Sequence, residues 1–190
     1  MKNLFLKFTL VAILLGNCSW VNAQIFTKVT TPTNPIVADP AQNYYNGASW
    51  IDYDNDNLLD LFIIRSGLYH NDGNGNFSKI INSGLGLAGG IGNSWADVDN
   101  DGDLDCVQSG GGSVGTKLFL NNGNGTSTQS LTGALATPTS LRGWGSAFGD
   151  YNNDGWVDLF IASPYNFVAI TDSCKFLVNM GNGIFTRVDT

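Results

Sequence analysis

The stretch WIDYDNDNLLDLFI (residues 50–63) places four aspartates within nine positions and follows them directly with an apolar run. The same arrangement returns as WADVDNDGDLDCVQ (95–108) and as FGDYNNDGWVDLFI (148–161). The first aspartates of the three copies are separated by 45 and then 53 residues. A motif that returns at this spacing indicates an internal repeat, so the fold has to be explained as copies of one unit.

Each copy contains four short segments that read as β-strands. In the first copy these are Gly47–Trp50, Leu61–Ile64, Leu68–Asn71 and Phe77–Ile80. They are rich in β-branched and aromatic residues, and glycine and asparagine separate them, as expected for strands joined by tight turns. Four antiparallel strands per copy predict an all-β fold built from β-propeller blades. The repeats are expected at about 47–80, 92–130 and 145–188.

The first 23 residues have the pattern of a secretory signal peptide. Two lysines precede the apolar stretch Leu10–Leu15, and small residues follow it before Gln24. That stretch is too short for a permanent membrane span, so we expect a secreted or cell-surface protein without a transmembrane segment. Residues 24–46 are expected to form an N-terminal strand and lead-in, because Phe26–Val29 resembles the last strand of a copy.

The acidity of the chain is concentrated in the three loops. All sixteen acidic residues are aspartates, the formal net charge is −7, and twelve of the aspartates lie in the loops. Proteins that bind nucleic acid usually carry basic surfaces, so this distribution argues against a nucleic-acid partner. It favours bound cations.

Removal of the leader would leave two cysteines, Cys106 and Cys174. In an exported chain the two could form a disulfide. Alternatively, Cys106 is a small buried apolar residue, because it takes the place that leucine holds in the other two copies.

The loops have the ligand pattern of a calcium site. Side-chain oxygens recur at positions 1, 3, 5 and 9, and position 7 offers a backbone carbonyl. Ca²⁺ takes six to eight oxygen ligands, whereas Mg²⁺ keeps several of its waters. Zn²⁺ prefers histidine and cysteine ligands, and His70 is the one histidine in the sequence. We expect up to three calcium ions with a structural role. The predicted ligands are Asp52, Asp54, Asp56, Leu58 and Asp60 in loop 1, Asp97, Asp99, Asp101, Asp103 and Asp105 in loop 2, and Asp150, Asn152, Asp154, Trp156 and Asp158 in loop 3.

Position 6 of each loop requires a sharp turn. Loops 2 and 3 have Gly102 and Gly155 there, and loop 1 has Asn57, which tolerates a positive φ better than most residues. An EF-hand is excluded, because position 12 lacks the bidentate glutamate and lies in an apolar β-like run.

These motifs resemble FG-GAP repeats, also called VCBS repeats. The resemblance is carried by GASWIDYDNDNLLDLFI, GNSWADVDNDGDLDCVQ and GSAFGDYNNDGWVDLFI, and by the later LYHNDGNGNF and FLVNMGNGIF. It covers most of residues 47–190 and implies blades of an integrin-α-type propeller whose aspartate loops bind calcium. This sequence departs from the pattern at Asn57, at Asn152 and at Thr126, where a phenylalanine is missing.

Three repeats are fewer than the four to eight blades of most propellers. Three blades alone would leave sheet edges open to other chains. We therefore expect further blades in a longer parent chain, and we expect residues 24–190 to associate or to be poorly stable when expressed alone.

Two functions remain open at this stage. The first is a non-catalytic module that binds an extracellular protein or glycan in adhesion. The second is the propeller part of a secreted polysaccharide lyase or hydrolase, since paired carboxylates can act as acid and base. The aspartates have metal-ligand spacing and lack a catalytic partner set, which favours the first. Its candidate contact residues, each of which could instead pack locally, are Tyr44, Tyr45, Arg142, Trp144 and Tyr165.

Overall fold

The computed structural model describes residues 28–39, 47–86, 90–110, 114–137, 141–163 and 173–188. The chain divides into two compact units, Met1–Thr30 and Thr31–Thr190. Of the first unit only residues 28–30 are described, and they have no regular secondary structure. The predicted signal peptide and the start of the predicted N-terminal strand lie outside the described residues.

The described part of the second unit contains twelve strands in three antiparallel sheets of four. In every sheet the strands are hydrogen-bonded in chain order, as in a propeller blade. Blade 1 contains β1 (Ala48–Ile51), β2 (Asp60–Ile63), β3 (Gly67–Gly73) and β4 (Asn76–Lys79). Blade 2 contains β5 (Gly90–Ala96), β6 (Asp105–Gly110), β7 (Lys117–Asn121) and β8 (Ser127–Gln129). Blade 3 contains β9 (Gly145–Gly149), β10 (Asp158–Ala162), β11 (Lys175–Asn179) and β12 (Phe185–Arg187).

The strand assignment from the sequence is confirmed in all three copies. The middle copy keeps its fourth strand, β8, although it lacks the aromatic residue that begins the fourth-strand segment in the other two. Backbone hydrogen bonds hold the β8 segment in place. Ser127 N–H donates to the carbonyl of Ser83 at 2.7 Å, and Ser130 N–H donates to the carbonyl of Leu118 at 2.9 Å. The three sheets do not close into a ring within the described chain.

The described helical structure is limited to a short helix α1 (Pro35–Ala38) and a 3₁₀ turn (Gly133–Ala136). Helix α1 was not predicted from the sequence. It begins because the Asn34 side chain accepts from Ile36 N–H at 2.9 Å and because proline suits the first helical position. None of the described helices has the length and hydrophobicity that a bilayer crossing needs.

The hydrophobic core lies between neighbouring blades. We call the face that a blade turns toward the next blade its back face, and the opposite one its front face. The first core layer joins the back face of blade 1, with Tyr53 and Phe62, to the front face of blade 2, with Cys106 and Phe119. The second layer repeats this between blades 2 and 3, where Val107 packs in the same cluster as Leu159. Alternate residues of one strand therefore serve two different layers.

Cys106 lies inside the first layer, and this position confirms the interpretation of a buried apolar residue. It is 1% exposed, and burial raises the pKa of its thiol. Cys106 and Cys174 are both free thiols, and Cys174 is exposed. The alternative of a disulfide between them is wrong for this structure.

Candidate metal centre

Each aspartate loop joins the first and second strands of a blade, and strands flank it on both sides. Its first aspartate fixes the curl of the loop. In loop 2 the Asp97 carboxylate accepts from the N–H groups of Asp101 at 3.1 Å and Gly102 at 3.0 Å. Asp52 and Asp150 accept the two equivalent bonds in loops 1 and 3. The repeat therefore specifies one backbone shape three times.

The ninth-position aspartate is buried and ties the loop to the third strand of its blade. Asp105 is 1% exposed, and its two oxygens accept from Val98 N–H at 2.9 Å and from Asn121 N–H at 2.8 Å. Asp60 and Asp158 make the same pair of bonds. These carboxylates therefore have a structural role whether or not a cation is bound.

The carboxylates at positions 1, 3 and 5 converge in loops 1 and 2. In each of these loops the three groups offer one oxygen apiece, and the three oxygens lie within 4.8 Å of one another. The Asp99 Oδ1 atom is buried and has no hydrogen-bond partner, so it is an open acceptor inside the cluster. The residues at position 7, whose carbonyl groups are predicted metal ligands, are held in place by their own N–H groups. Each N–H donates to the position-5 carboxylate of its loop, at 2.7 Å for Leu58, 2.9 Å for Asp103 and 2.9 Å for Trp156.

Loop 3 replaces one of the converging carboxylates by Asn152. Its amide nitrogen donates to Asp154 Oδ2 at 2.7 Å, and its Oδ1 accepts from Asp154 N–H at 3.0 Å. An attractive contact thus takes the place of a repulsion between like charges. Loop 3 keeps the backbone shape of its neighbours but needs a cation least.

The backbone at position 6 takes a positive φ in every loop. Asn57 has φ 69°, beside 96° for Gly102 and 90° for Gly155, so the expectation that asparagine can replace glycine there is confirmed. Position 4 is left-handed as well, which the sequence analysis missed although asparagine occupies it each time. These residues are Asn55, Asn100 and Asn153, with φ of 61°, 59° and 57°.

His70 lies beside the carboxylates of loop 1, a position that was not predicted from the sequence. Its Nδ1 atom lies 3.2 Å from Asp54 Oδ2 and 3.4 Å from Asp60 Oδ1. The neighbouring Asn71 could have indicated this position of His70, because the Asn71 N–H donates to the Asp60 carboxylate at 2.7 Å. Loop 1 therefore offers an imidazole nitrogen beside its carboxylates, unlike loops 2 and 3, where leucine and valine stand at this point of the third strand.

Crowding and burial make several of these carboxyl groups weak acids. Burial raises the pKa of Asp105 to about 7, against the lowering effect of the two N–H groups that it accepts. Burial also raises the pKa of Asp60. The pKa of Asp99 is raised by burial first and then by the charge of Asp101. In the absence of a cation the loops therefore favour protons.

The raised pKa values predict an inverted pH dependence for metal-free protein. A carboxyl group with a raised pKa binds protons in the native state at pH values where the unfolded chain has already released them. The free energy of unfolding therefore falls as pH rises, for Asp105 between 3.8 and about 7. We expect the metal-free protein to melt several degrees higher at pH 5 than at pH 7.5. Melting of dialysed protein across this range checks it, and a midpoint that rises with pH would contradict it.

Asparagines link the loops of adjacent blades. The Asn121 amide donates to the Tyr53 carbonyl of the preceding blade at 2.8 Å, and Asn179 donates to the Val98 carbonyl at 2.8 Å. The position-4 asparagines reach in the other direction, since Asn55 donates to Asp103 Oδ1 at 2.8 Å. The three loops therefore form one hydrogen-bonded row along the blades.

Replacement of Asn121 should measure the strength of this link. Asn121 and Asn71 make the same two bonds within their blades, but the bond to Tyr53 of the preceding blade belongs to Asn121 alone. We expect Asn121→Ala to lower the free energy of unfolding by about 1–2 kcal/mol more than Asn71→Ala, because the Tyr53 carbonyl loses a buried partner. Urea unfolding of both variants measures the difference, and equal losses would refute the link.

The predicted ligand-contact residues that the structure describes lie on an exposed segment before β9. Arg142 is exposed, and so is Trp144, at 51%. The Arg142 carbonyl accepts from Ser163 Oγ at 3.3 Å, so the segment is attached to the end of β10. Tyr44, Tyr45 and Tyr165 lie outside the described residues.

The fold and the loops define a class: a protein of propeller-like blades, each with an acidic loop between its first two strands. The model of the FG-GAP-like repeat matches residues 52–108 and 97–161, which together span more than half of the chain. The chain belongs to the FG-GAP-like repeat family. This confirms the family that the three motifs resemble.

Among solved structures, the chain is similar to an Agrocybe aegerita lectin that is described as specifically recognising non-reducing terminal N-acetylglucosamine. The two are 18% identical with a TM-score of 0.51, and the match covers 76% of this chain and 38% of the lectin. The chain thus spans well under half of that protein, and the likeness concerns the fold. No curated relative matches the chain significantly.

Proposed function

We propose that the protein is an exported, non-catalytic binding module whose aspartate loops hold calcium and stabilise the blades. The observation that carries the proposal is the convergence of three carboxylate oxygens within 4.8 Å in loops 1 and 2, on backbones of one shape. A hard divalent cation takes oxygen ligands of this kind. The unpartnered Asp99 Oδ1 supports a ligand in loop 2.

The residues that would hold calcium are those at positions 1, 3 and 5, with the position-7 carbonyl. The position-9 carboxylate already accepts two backbone N–H bonds and would add a remaining lone pair. Bound calcium would neutralise the mutual repulsion of the loop carboxylates. Because extracellular calcium modules bind at roughly 10⁻⁴–10⁻³ M, the ion would act as a permanent part of the fold outside the cell.

The proposed binding partner is an extracellular glycan or protein. The glycan alternative is supported by the likeness of the fold to a lectin that recognises a terminal sugar. Trp144 and Arg142 offer an exposed aromatic ring and a cation on one segment, and both are groups that sugars and acidic partners contact.

A glycan array probed with the calcium-loaded protein tests this function. We expect a defined set of glycans to be bound, and Trp144→Ala to weaken binding at least tenfold. Leu131→Ala is the matched control, since Leu131 is exposed but lies in the segment after β8. The same glycans incubated with the protein should remain uncleaved with and without chelator. Turnover by this chain would overturn the non-catalytic proposal in favour of a lyase or hydrolase.

A further inference from the structure

His70 is a polar residue at a place where the other two blades have apolar ones. It lies in β3, and the equivalent residues of β7 and β11 are Leu120 and Val178. The blade fold therefore does not require a polar side chain at this point. The His70 side chain is 26% exposed, and its ring meets that of Tyr53 edge-on at 6.3 Å. Because Tyr53 is buried in the first core layer, this contact holds the imidazole in a fixed orientation.

One nitrogen of this imidazole lies beside two carboxylates of loop 1. His70 Nδ1 is 3.2 Å from Asp54 Oδ2 and 3.4 Å from Asp60 Oδ1. Nδ1 is buried and has no hydrogen-bond partner, so these neighbours do not satisfy it by hydrogen bonding. The other nitrogen, Nε2, is 3.8 Å from Asp72 Oδ1, which is beyond hydrogen-bond distance. An unpartnered nitrogen among carboxylate oxygens is an arrangement that a bound cation satisfies.

Asp54, Asp60 and His70 have the spacing and the ligand types of a site for a small transition-metal ion. Each offers one ligand atom, and the three atoms lie within 4.8 Å of one another. Ligands placed tetrahedrally at zinc bond lengths of about 2.0–2.1 Å are about 3.3 Å apart, and both distances from Nδ1 agree with this value. Asp60 is fully buried, and its Oδ1 keeps a lone pair after accepting from Asn71 N–H at 2.7 Å. The nitrogen distinguishes this set from a calcium site, because Ca²⁺ takes oxygen ligands whereas imidazole suits Zn²⁺.

We propose that Asp54, Asp60 and His70 bind a divalent transition-metal ion of the zinc class, which displaces calcium from loop 1. The inference rests on the proposed function, since it names a second ion for one of the three cation-binding loops. Asp54 also belongs to the converging set of Asp52 and Asp56, so the two ions compete for it. Three protein ligands leave one tetrahedral position for a water molecule. Loops 2 and 3 have no imidazole and keep calcium.

Isothermal titration of the untagged full chain with zinc chloride in millimolar calcium tests the proposal. We expect one zinc ion to bind per chain and to release one calcium ion. His70→Leu gives blade 1 the residue of blade 2 and should weaken zinc binding by more than about 100-fold, since loss of an outer-shell partner alone costs about 10–100-fold. Its calcium uptake without zinc should equal that of wild type, which also checks its folding. Asp101→Ala is the reverse case, because it removes a carboxylate of loop 2 and should keep zinc binding.

Cobalt chloride serves as a spectroscopic probe of the same ligands. Tetrahedral Co²⁺ with nitrogen and oxygen ligands absorbs visible light, and we expect this absorption in wild type and its loss in His70→Leu. Asp54→Asn keeps the shape of the side chain and should weaken the binding of both cobalt and loop-1 calcium. A thiolate-to-cobalt charge-transfer band would identify the exposed Cys174 as a ligand and would overturn the proposal.

The outcomes separate this inference from the calcium proposal. Calcium uptake without zinc uptake in folded wild-type protein would overturn the zinc site alone and assign His70 to an ion pair with Asp54. Zinc uptake that survives His70→Leu would show adventitious binding and overturn it as well. Zinc uptake that depends on His70, in a protein that takes up no calcium, would support the zinc site and contradict the calcium proposal.

Discussion

Calcium-free protein is expected to melt roughly 15–30 °C below protein in about 10 mM calcium. One site with a dissociation constant of about 10⁻⁴ M contributes about 2.7 kcal/mol at that concentration, and three such sites contribute about 8 kcal/mol. For a chain of this size each kcal/mol moves the midpoint by roughly 2–4 °C. The physical cause is the repulsion among crowded carboxylates, which a dication reverses.

Variants in blades 2 and 1 show whether this response comes from the loops. Asp101→Ala removes one of the three converging carboxylates of loop 2, so we expect it to abolish about a third of the calcium-dependent shift. Asp72→Ala removes an equal charge outside the converging sets, from a side chain that accepts from Ser78 Oγ at 2.6 Å, and should leave the shift intact. Differential scanning calorimetry in calcium and in chelator measures both. Equal shifts in the two variants would mean that calcium acts through net charge alone.

Asp105→Ala is expected to lower the free energy of unfolding by about 3–5 kcal/mol, with calcium or without it. The substitution leaves the N–H groups of Val98 and Asn121 buried without an acceptor, and each such loss costs about 1–3 kcal/mol. It also opens a small cavity, while the removal of one charge from the loop offsets part of the cost.

The matched control is Asp103→Ala in the same loop. Its carboxylate accepts from Asn55 on the surface, so the substitution should cost no more than about 1 kcal/mol. Chemical unfolding of both variants in metal-free buffer gives the comparison. If Asp105→Ala destabilised the protein only in calcium, the ninth-position carboxylate would be a ligand without the structural role described above.

The repeat could be predicted from sequence because each of its parts has a local physical cause. The continuous apolar run Leu61–Ile64 indicates a strand with two buried faces, and the asparagine and glycine turns fix where strands end. The loop shape at Asn57 could be predicted because position 6 requires a positive φ, which asparagine tolerates. These features need no knowledge of neighbouring blades.

Relations between blades could not be predicted in this way. Nothing local in the sequence shows that the Asn121 amide bonds Tyr53, 68 residues earlier in the chain, or that Asn55 reaches Asp103. His70 was missed for the same reason, because its place beside Asp54 depends on the curl of the loop against the third strand. The short helix α1 was missed because four residues are too few for helical periodicity.

The most direct test of the calcium account is isothermal titration of dialysed, metal-free protein with calcium chloride at millimolar concentration. The account predicts saturable uptake by at least the two loops whose carboxylates converge, with one site fewer in Asp101→Ala and unchanged uptake in Asp72→Ala. Absence of saturable calcium uptake by folded wild-type protein would contradict it.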